Sequence, residues 1–266
     1  MSKARTGQIG DAAAEIYEEF FVPALFDQWP PRLLDKTGVR RGEQVLDVGC
    51  GTGALTREAL AWVGAVGSVA ALDPNDGMRA VAGRMCPGAL LHAGVAEDLP
   101  FADDSFDRVV SQFVLMFCTD RRRAVAQMAR VLRPGGTLGI LTWAQVAENP
   151  GYDAMATLVR RLFGDVQADA LLAPFVIGTP ELLRDELADA FSEVEIVRLD
   201  GEACFPSVEA WVRTDVKGWT LGDLIDDDQY EHLLRAAARE LAVFAGTDGV
   251  VRFPAPALAA VARQPV

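Results

Sequence analysis

The order of apolar and glycine-rich segments predicts an α/β protein, doubly wound, with a mostly parallel sheet and helices on both faces. Three observations carry that reading. Short strand-like runs at 45–48, 68–73 and 106–112 alternate with stretches of helical character, the pattern of strand–helix–strand units. The first run, Val45-Leu46-Asp47-Val48, opens into glycines at alternate positions, Gly49, Gly51 and Gly53, and then into the helix-like Ala54–Leu60. The next strand, Ser68–Leu72, closes on an acid, Asp73. A strand, a glycine turn and a helix start bring backbone N–H groups close to a bound ligand. Asp47 adds a carboxylate at the same mouth, which suits a ligand carrying both a cationic amino group and a carboxylate.

Composition bounds the function. With 266 residues, 50% of them hydrophobic, the chain can bury a full core. A net charge of −13 argues against nucleic acid, because phosphate binding needs a basic face. The uncharged run from Ala59 to Leu72 contains Gly64 and Gly67 and is too short to span a membrane; it reads as helix end, turn and strand. Met1–Gly7 lacks an apolar signal core, and Cys50, Cys86, Cys118 and Cys204 lie far apart. Both point to a cytoplasmic protein with reduced thiols and no zinc framework.

Taken in order, Asp11–Phe21 reads as a helix that Val22-Pro23 interrupts, and Ala24–Lys36 as a second helix ending at Gly38. Its aromatic residues, Tyr17, Phe20, Phe21, Phe26 and Trp29, read either as core packing or as a lid over the ligand mouth, with Tyr17 at the edge. Asp73 reads either as a ligand for ribose hydroxyls or, with Pro74, as the N-cap of a helix over Asn75–Met85; both can hold. Ala89–Gly94, Phe106–Gln112 and Thr137–Trp143 read as further strands. A helix over Asp120–Leu132 precedes a sharp turn at Arg133-Pro134-Gly135-Gly136.

Beyond Trp143, helices are expected near Asp153–Phe163, from Thr179 to Phe191, from Ser207 to Thr214 and from Asp228 to Phe244. Strands are expected at Val194–Leu199 and within Pro256–Arg263. Arg121-Arg122-Arg123 reads as a solvated helix start and Asp226-Asp227-Asp228 as a loop and helix cap. His92 and His232 read as ordinary side chains.

Four motifs in order, Asp47–Gly53 with Asp73, Ala96-Glu97-Asp98-Leu99-Pro100-Phe101, Ser105-Phe106-Asp107 and Arg133–Gly136, resemble the Rossmann-like, class I methyltransferases that use S-adenosyl-L-methionine (SAM). The likeness is to the small-molecule branch that includes the ubiquinone and menaquinone methylases. It is close over residues 40–143 and general elsewhere. It implies a seven-stranded sheet finished by an antiparallel strand pair. The expected division is an N-terminal helical lid (1–44), a SAM-binding α/β core (45–143), and the rest of the sheet with an inserted helical cap over the substrate site (144–266).

The resemblance also implies roles. Gly49, Cys50, Gly51 and Gly53 would line the methionine part of SAM, with Asp47 at its amino end and Tyr17 at the mouth. Asp73, beside Pro74, would hold the ribose. Met78, Ala96 and Glu97 would border adenine, and Gln112 would lie near the reacting methyl. Where many relatives carry an acid contacting the adenine amino group, this chain has Val95; Glu97 or the Ala96 backbone stands as the replacement. Phe20, Phe21, Phe113, Met116, Trp143 and Phe175 would line the acceptor site and favour an aromatic, quinone-like or lipid-derived acceptor.

The implied reaction is O-, C- or N-methylation of a small molecule by in-line displacement, releasing S-adenosyl-L-homocysteine without a metal. Tyr17, His92 and Glu97 stand as alternative bases. The expected partner is the acceptor itself, with a homodimer left open. Two other readings remain: a catalytically silent SAM-binding protein, and an NAD(P)-dependent oxidoreductase, since Gly49-x-Gly51-x-x-Ala54 formally meets the dinucleotide pattern.

Overall fold

The computed structural model describes residues 11–218 and 220–265. In chain order the elements are α1 (Asp11–Ile16), a π-helical stretch (Tyr17–Phe26), α2 (Pro30–Thr37), β1 (Gln44–Val48), α3 (Ala54–Val63), β2 (Ser68–Asp73), α4 (Asp76–Met85) and β3 (Leu90–Ala93). Then come β4 (Phe106–Gln112), α5 (Arg121–Val131), β5 (Leu132–Trp143), α6 (Pro150–Phe163), α7 (Asp165–Leu172) and α8 (Pro180–Leu187). The chain closes with β6 (Val194–Leu199), β7 (Glu202–Phe205), α9 (Val208–Lys217), α10 (Asp227–Glu240), β8 (Val251–Pro254) and β9 (Ala257–Arg263).

Seven strands form one sheet in the order β3-β2-β1-β4-β5-β9-β6. Pairings from β3 to β5 are parallel; β9 runs antiparallel to both β5 and β6. β1, β2 and the second half of β5 are buried and largely apolar, as strands covered on both faces must be, whereas the edge strand β3 is half-exposed. The direction of winding reverses between β1 and β4. That switch opens a crevice at the carboxyl ends of these two strands, where an open α/β sheet receives its ligand.

Several elements end where their chemistry dictates. Asp120, Thr179, Ser207 and Asp226 cap α5, α8, α9 and α10 through side-chain oxygens. Asp226 does so within a capping box with Gln229, so the run of three acids serves the helix start. Gly38, at φ 70°, closes α2 in the left-handed conformation. The Arg121–Arg123 run starts α5 and ties it to α8: Arg121 pairs with Glu186, and Arg122 with Asp185 and Asp189.

Four local expectations are corrected. Pro23 does not interrupt the N-terminal helix. The chain widens into π winding, with Asp27 N–H bonded to Val22 O five residues back (2.9 Å), which carries it past the proline ring. Asp73-Pro74 does not cap α4, because Asn75 does, accepting from Met78 N–H (2.9 Å). Arg133–Gly136 is not a free turn: it lies within β5 as a register shift against β4, with Gly135 at φ 75°. Finally, β7 and β8 form a separate antiparallel pair where the sequence predicts no strand.

Candidate active site

The site begins at the end of β1. Gly49 (φ 75°), Gly51 (φ 54°) and Gly53 (φ 97°) all take the left-handed conformation, so the turn depends on residues without a side chain. A Cβ on Gly49 would also overlap the Val114 side chain. The turn is held to β2 by Gly49 N–H and Cys50 N–H, both bonded to Leu72 O (2.7 and 3.0 Å). Asp73 reaches back from the end of β2: its carboxylate accepts from Gly51 N–H (2.9 Å) and Asn75 N–H (2.8 Å). Burial raises the pKa of Asp73 above the usual carboxylate value, opposed by those two backbone bonds and by Arg79.

Asp47 is 1% exposed. Thr56 on α3 donates to its Oδ2 (2.6 Å). Burial pushes this carboxyl up to about 7, the Thr56 bond pulling down and the neighbouring Asp73 pushing further up. Asp47, Gly49, Cys50, Gly51, Thr52 and Gln112 line one cleft of about 330 Å³ over the glycine turn; Tyr17, Val22 and Phe26 cover it from the N-terminal segment. Three buried oxygens on these lining residues, Asp47 Oδ1, Thr52 Oγ1 and Gln112 Oε1, have no hydrogen-bond partner. Buried polar atoms are seldom left unsatisfied. Two acceptors and a hydroxyl beside a turn rich in N–H groups fit the ammonium and carboxylate of an amino acid.

The remaining predicted cofactor residues lie outside that cleft. Gly53 forms the N-cap of α3. Pro74 is exposed, and Met78 is buried with Ala14, Val81 and Tyr17 where α1 rests on α4. Ala96 is buried, and the Glu97 carboxylate accepts from Thr119 N–H (2.8 Å) and Asp120 N–H (3.4 Å). Val95 is 45% exposed. The N-terminal segment is pinned over the site by ion pairs of Arg57 with Glu18 (3.0 Å) and Asp27 (3.4 Å), and of Arg84 with Glu15.

A second cavity, about 480 Å³, adjoins the first. Tyr17 and Phe26 belong to both walls. Of the predicted acceptor-site residues, Phe21, Phe113, Trp143 and Phe175 line it, with Phe113 and Trp143 stacked at 4.0 Å between centroids. Phe20 and Met116 do not. Adjacent helical residues face different ways, so Phe20 turns outward under the Arg213 guanidinium while Phe21 turns in. Met116 packs into the core and its neighbour Phe117 takes the cavity wall.

Sequence reasoning missed Leu25, Phe117, Leu171 and Pro174 in this lining and, with them, two polar residues, Tyr152 and Asp215. A signal for the acid existed. Trp211, Val212, Asp215 and Val216 share one buried face of α9, so Asp215 stands in an apolar stripe. His92, by contrast, rests against Phe101 (4.9 Å), outside both cavities.

A Rossmann-like sheet with a glycine cradle at its switch point, an acid at the end of the second strand and a largely apolar chamber next door defines a protein that holds a nucleoside-bearing cofactor beside a second cavity. A family described as "Methyltransferase domain" matches residues 46–140. The ubiquinone/menaquinone biosynthesis C-methyltransferase UbiE of Bordetella avium is 34% identical over 71% of this chain and 77% of its own length. Among solved structures, a putative methyltransferase from an antibiotic biosynthesis pathway of Anabaena variabilis superposes with TM-score 0.66 at 18% identity, covering 87% of this chain and 96% of its own. Phosphoethanolamine N-methyltransferase 2 of Haemonchus contortus, solved with S-adenosylhomocysteine, gives TM-score 0.63 at 16% identity over 98% of this chain and 58% of its own.

The chain belongs to the class I SAM-dependent methyltransferases and resembles the ubiquinone/menaquinone methylases. It is an enzyme and its cofactor is SAM.

Proposed function

We propose that the enzyme methylates a ring carbon of a small, planar, quinone-like aromatic acceptor. The observation that supports this most directly is the shared wall: Tyr17 and Phe26 border both the glycine-turn cleft and a chamber lined by aromatic side chains. The name of the Bordetella avium relative, a C-methyltransferase of quinone biosynthesis, points the same way.

SAM supplies a sulfonium methyl, already a strong electrophile, so the protein's contribution is alignment and exclusion of water. Positioning of this kind contributes roughly 7–11 kcal/mol in favourable cases. In this reading Asp47 Oδ1 and Gln112 Oε1 hold the cofactor's ammonium, the backbone of Gly49–Gly53 lies along its methionine part, and Asp73 serves the ribose. Phe113, Trp143, Phe21 and Phe175 fix the plane of the acceptor. In this reading residues 11–44 act as the lid (the rest of the expected 1–44 segment lies outside the described residues), 45–143 as the cofactor half, and the described part of 144–266 completes the sheet and caps the acceptor.

The test is incubation with SAM and a panel of hydroquinones, phenols and amines, with mass spectrometry for products and NMR to locate the added methyl. A methyl on a ring carbon of a hydroquinone supports the proposal. Transfer to amines alone, or S-adenosylhomocysteine binding with no transfer to any aromatic acceptor, refutes it.

A further inference from the structure

The acceptor chamber is lined mostly by apolar side chains, with Tyr17, Tyr152 and Asp215 as its polar members. Asp215, 3% exposed on α9, lines it, and its Oδ2 has no hydrogen-bond partner. Its Oδ1 accepts from the Tyr152 hydroxyl on α6 at 3.3 Å. Among the described residues, no lysine, arginine or histidine lines the chamber. A buried carboxyl without a cation is costly and rarely kept for packing alone, since an apolar side chain would fill the stripe between Trp211 and Val216 better.

From this we infer that Asp215 is the residue that takes the acceptor's proton, and that the acceptor therefore carries an ionisable aromatic hydroxyl. The inference rests on the aromatic-acceptor reading above and adds the group that activates the acceptor. In the step, the O–H bond of the acceptor breaks, its proton bonds to Asp215 Oδ2, and the electron pair stays on oxygen and spreads into the ring. That pair forms the new bond to the methyl group as the sulfur–methyl bond breaks, its electrons remaining on sulfur. Where a ring carbon receives the methyl, that carbon's proton leaves to solvent as aromaticity returns, and Asp215 gives its proton back to the phenolate oxygen. Atoms and charge balance with no further reactant.

The surroundings suit a base rather than a fixed charge. Burial raises Asp215 to about 8, with the Tyr152 hydroxyl and the nearby Trp211 N–H pulling down. A carboxyl tuned towards neutrality is a stronger base than an exposed one and works near ambient pH. The groups facing it are Tyr152 from α6, Trp211 from its own helix, and Tyr17 across the chamber from the π stretch. Tyr152 is a positioning residue: it holds Oδ1 and leaves Oδ2 to the acceptor.

The experiment compares binding of hydroquinone with that of its dimethyl ether to the S-adenosylhomocysteine-loaded protein by titration calorimetry, for wild type, Asp215→Asn and Tyr152→Phe. Wild type is expected to prefer the hydroquinone at least tenfold, and Asp215→Asn to lose that preference while S-adenosylhomocysteine affinity and the melting temperature report an intact fold. If Asp215→Asn does not fold, Asp215→Glu replaces it and keeps the preference.

With a turned-over acceptor, Tyr152→Phe moves the acid limb of kcat/KM to higher pH, because a bond that pulls Asp215 down is gone. Equal wild-type affinity for hydroquinone and ether overturns the inference, as does a preference retained in Asp215→Asn or tighter binding of benzylamine than of hydroquinone. If wild type keeps the preference yet methylates no aromatic acceptor, the reading of the reaction falls and the Asp215 site stands.

Discussion

Asp47 gives the sharpest test of the cofactor cleft. Its carboxyl sits at about 7 in the free protein, so it is largely uncharged in mild acid, and only the ionised form can receive an ammonium group. With that value, roughly three quarters of Asp47 is ionised at pH 7.5 and about 3% at pH 5.5, so S-adenosylhomocysteine affinity should fall about 25-fold between them, close to 2 kcal/mol. The linkage runs in the opposite sense for the free fold. Asp47 binds its proton more tightly folded than unfolded, so unliganded stability falls as pH rises from about 4 to about 7.

Ligand at a hundredfold excess over Kd at pH 7.5 then adds about 2.7 kcal/mol, and the same concentration at pH 5.5 adds about 1 kcal/mol. At roughly 2–4 °C per kcal/mol, the melting shift should be about 5–10 °C at the higher pH and about 2–4 °C at the lower. Calorimetric titration and thermal melts across this range, on wild type, Asp47→Asn and Asp73→Asn, make the measurement. Asp47→Asn should bind weakly with a flat profile, and Asp73→Asn should keep the slope. A wild-type affinity equal at both pH values, or an Asp47→Asn variant that retains the slope, refutes the assignment of Asp47 to the ammonium.

Thr56→Val removes the 2.6 Å bond that pulls Asp47 down, so the midpoint of the S-adenosylhomocysteine profile should move to higher pH with the high-pH affinity nearly unchanged. Gly49→Ala places a side chain at φ 75° and against Val114, and should lower stability by roughly 2–4 kcal/mol in urea unfolding, with Val114→Ala in the same chain recovering part of it. Trp29 is fully buried, donates to Leu25 O (2.7 Å) and meets Phe113 and Trp143 edge-on. Trp29→Ala should cost about 3–5 kcal/mol of stability while cofactor affinity stays within a few-fold of wild type.

Local chemistry explains what the sequence disclosed. The glycine turn was legible because three left-handed residues in a row at alternate positions admit almost nothing but glycine, and the strand before it and acid after it are contiguous segments. The starts of α5, α8, α9 and α10 were legible because a capping oxygen lies within three residues of the N–H it serves. Where the reading failed, a choice between near-equal local solutions was made by distant contacts. Asn75 displaced Asp73 as the cap of α4 because Asp73 is already committed to Gly51 N–H, 22 residues earlier. β7 and β8 are four residues each and pair with one another across nearly fifty residues, so neither announces itself alone.

The acceptor chamber is the extreme case. Its walls come from the π stretch, the end of β5, α6, α7 and α9, and no window of sequence contains two of its opposite sides. Yet the acid in its lining had a local signature. On α9 the positions facing inward, Trp211, Val212 and Val216, obey the amphipathic pattern, and Asp215 breaks it. An acid set into an otherwise consistent apolar stripe opposes folding wherever it serves folding alone. The buried Tyr152–Asp215 contact, joining residues 63 apart, shows that the break was kept and partly compensated rather than packed away. A lone charge on the buried face of a helix is thus where a single sequence points to chemistry before any contact is known.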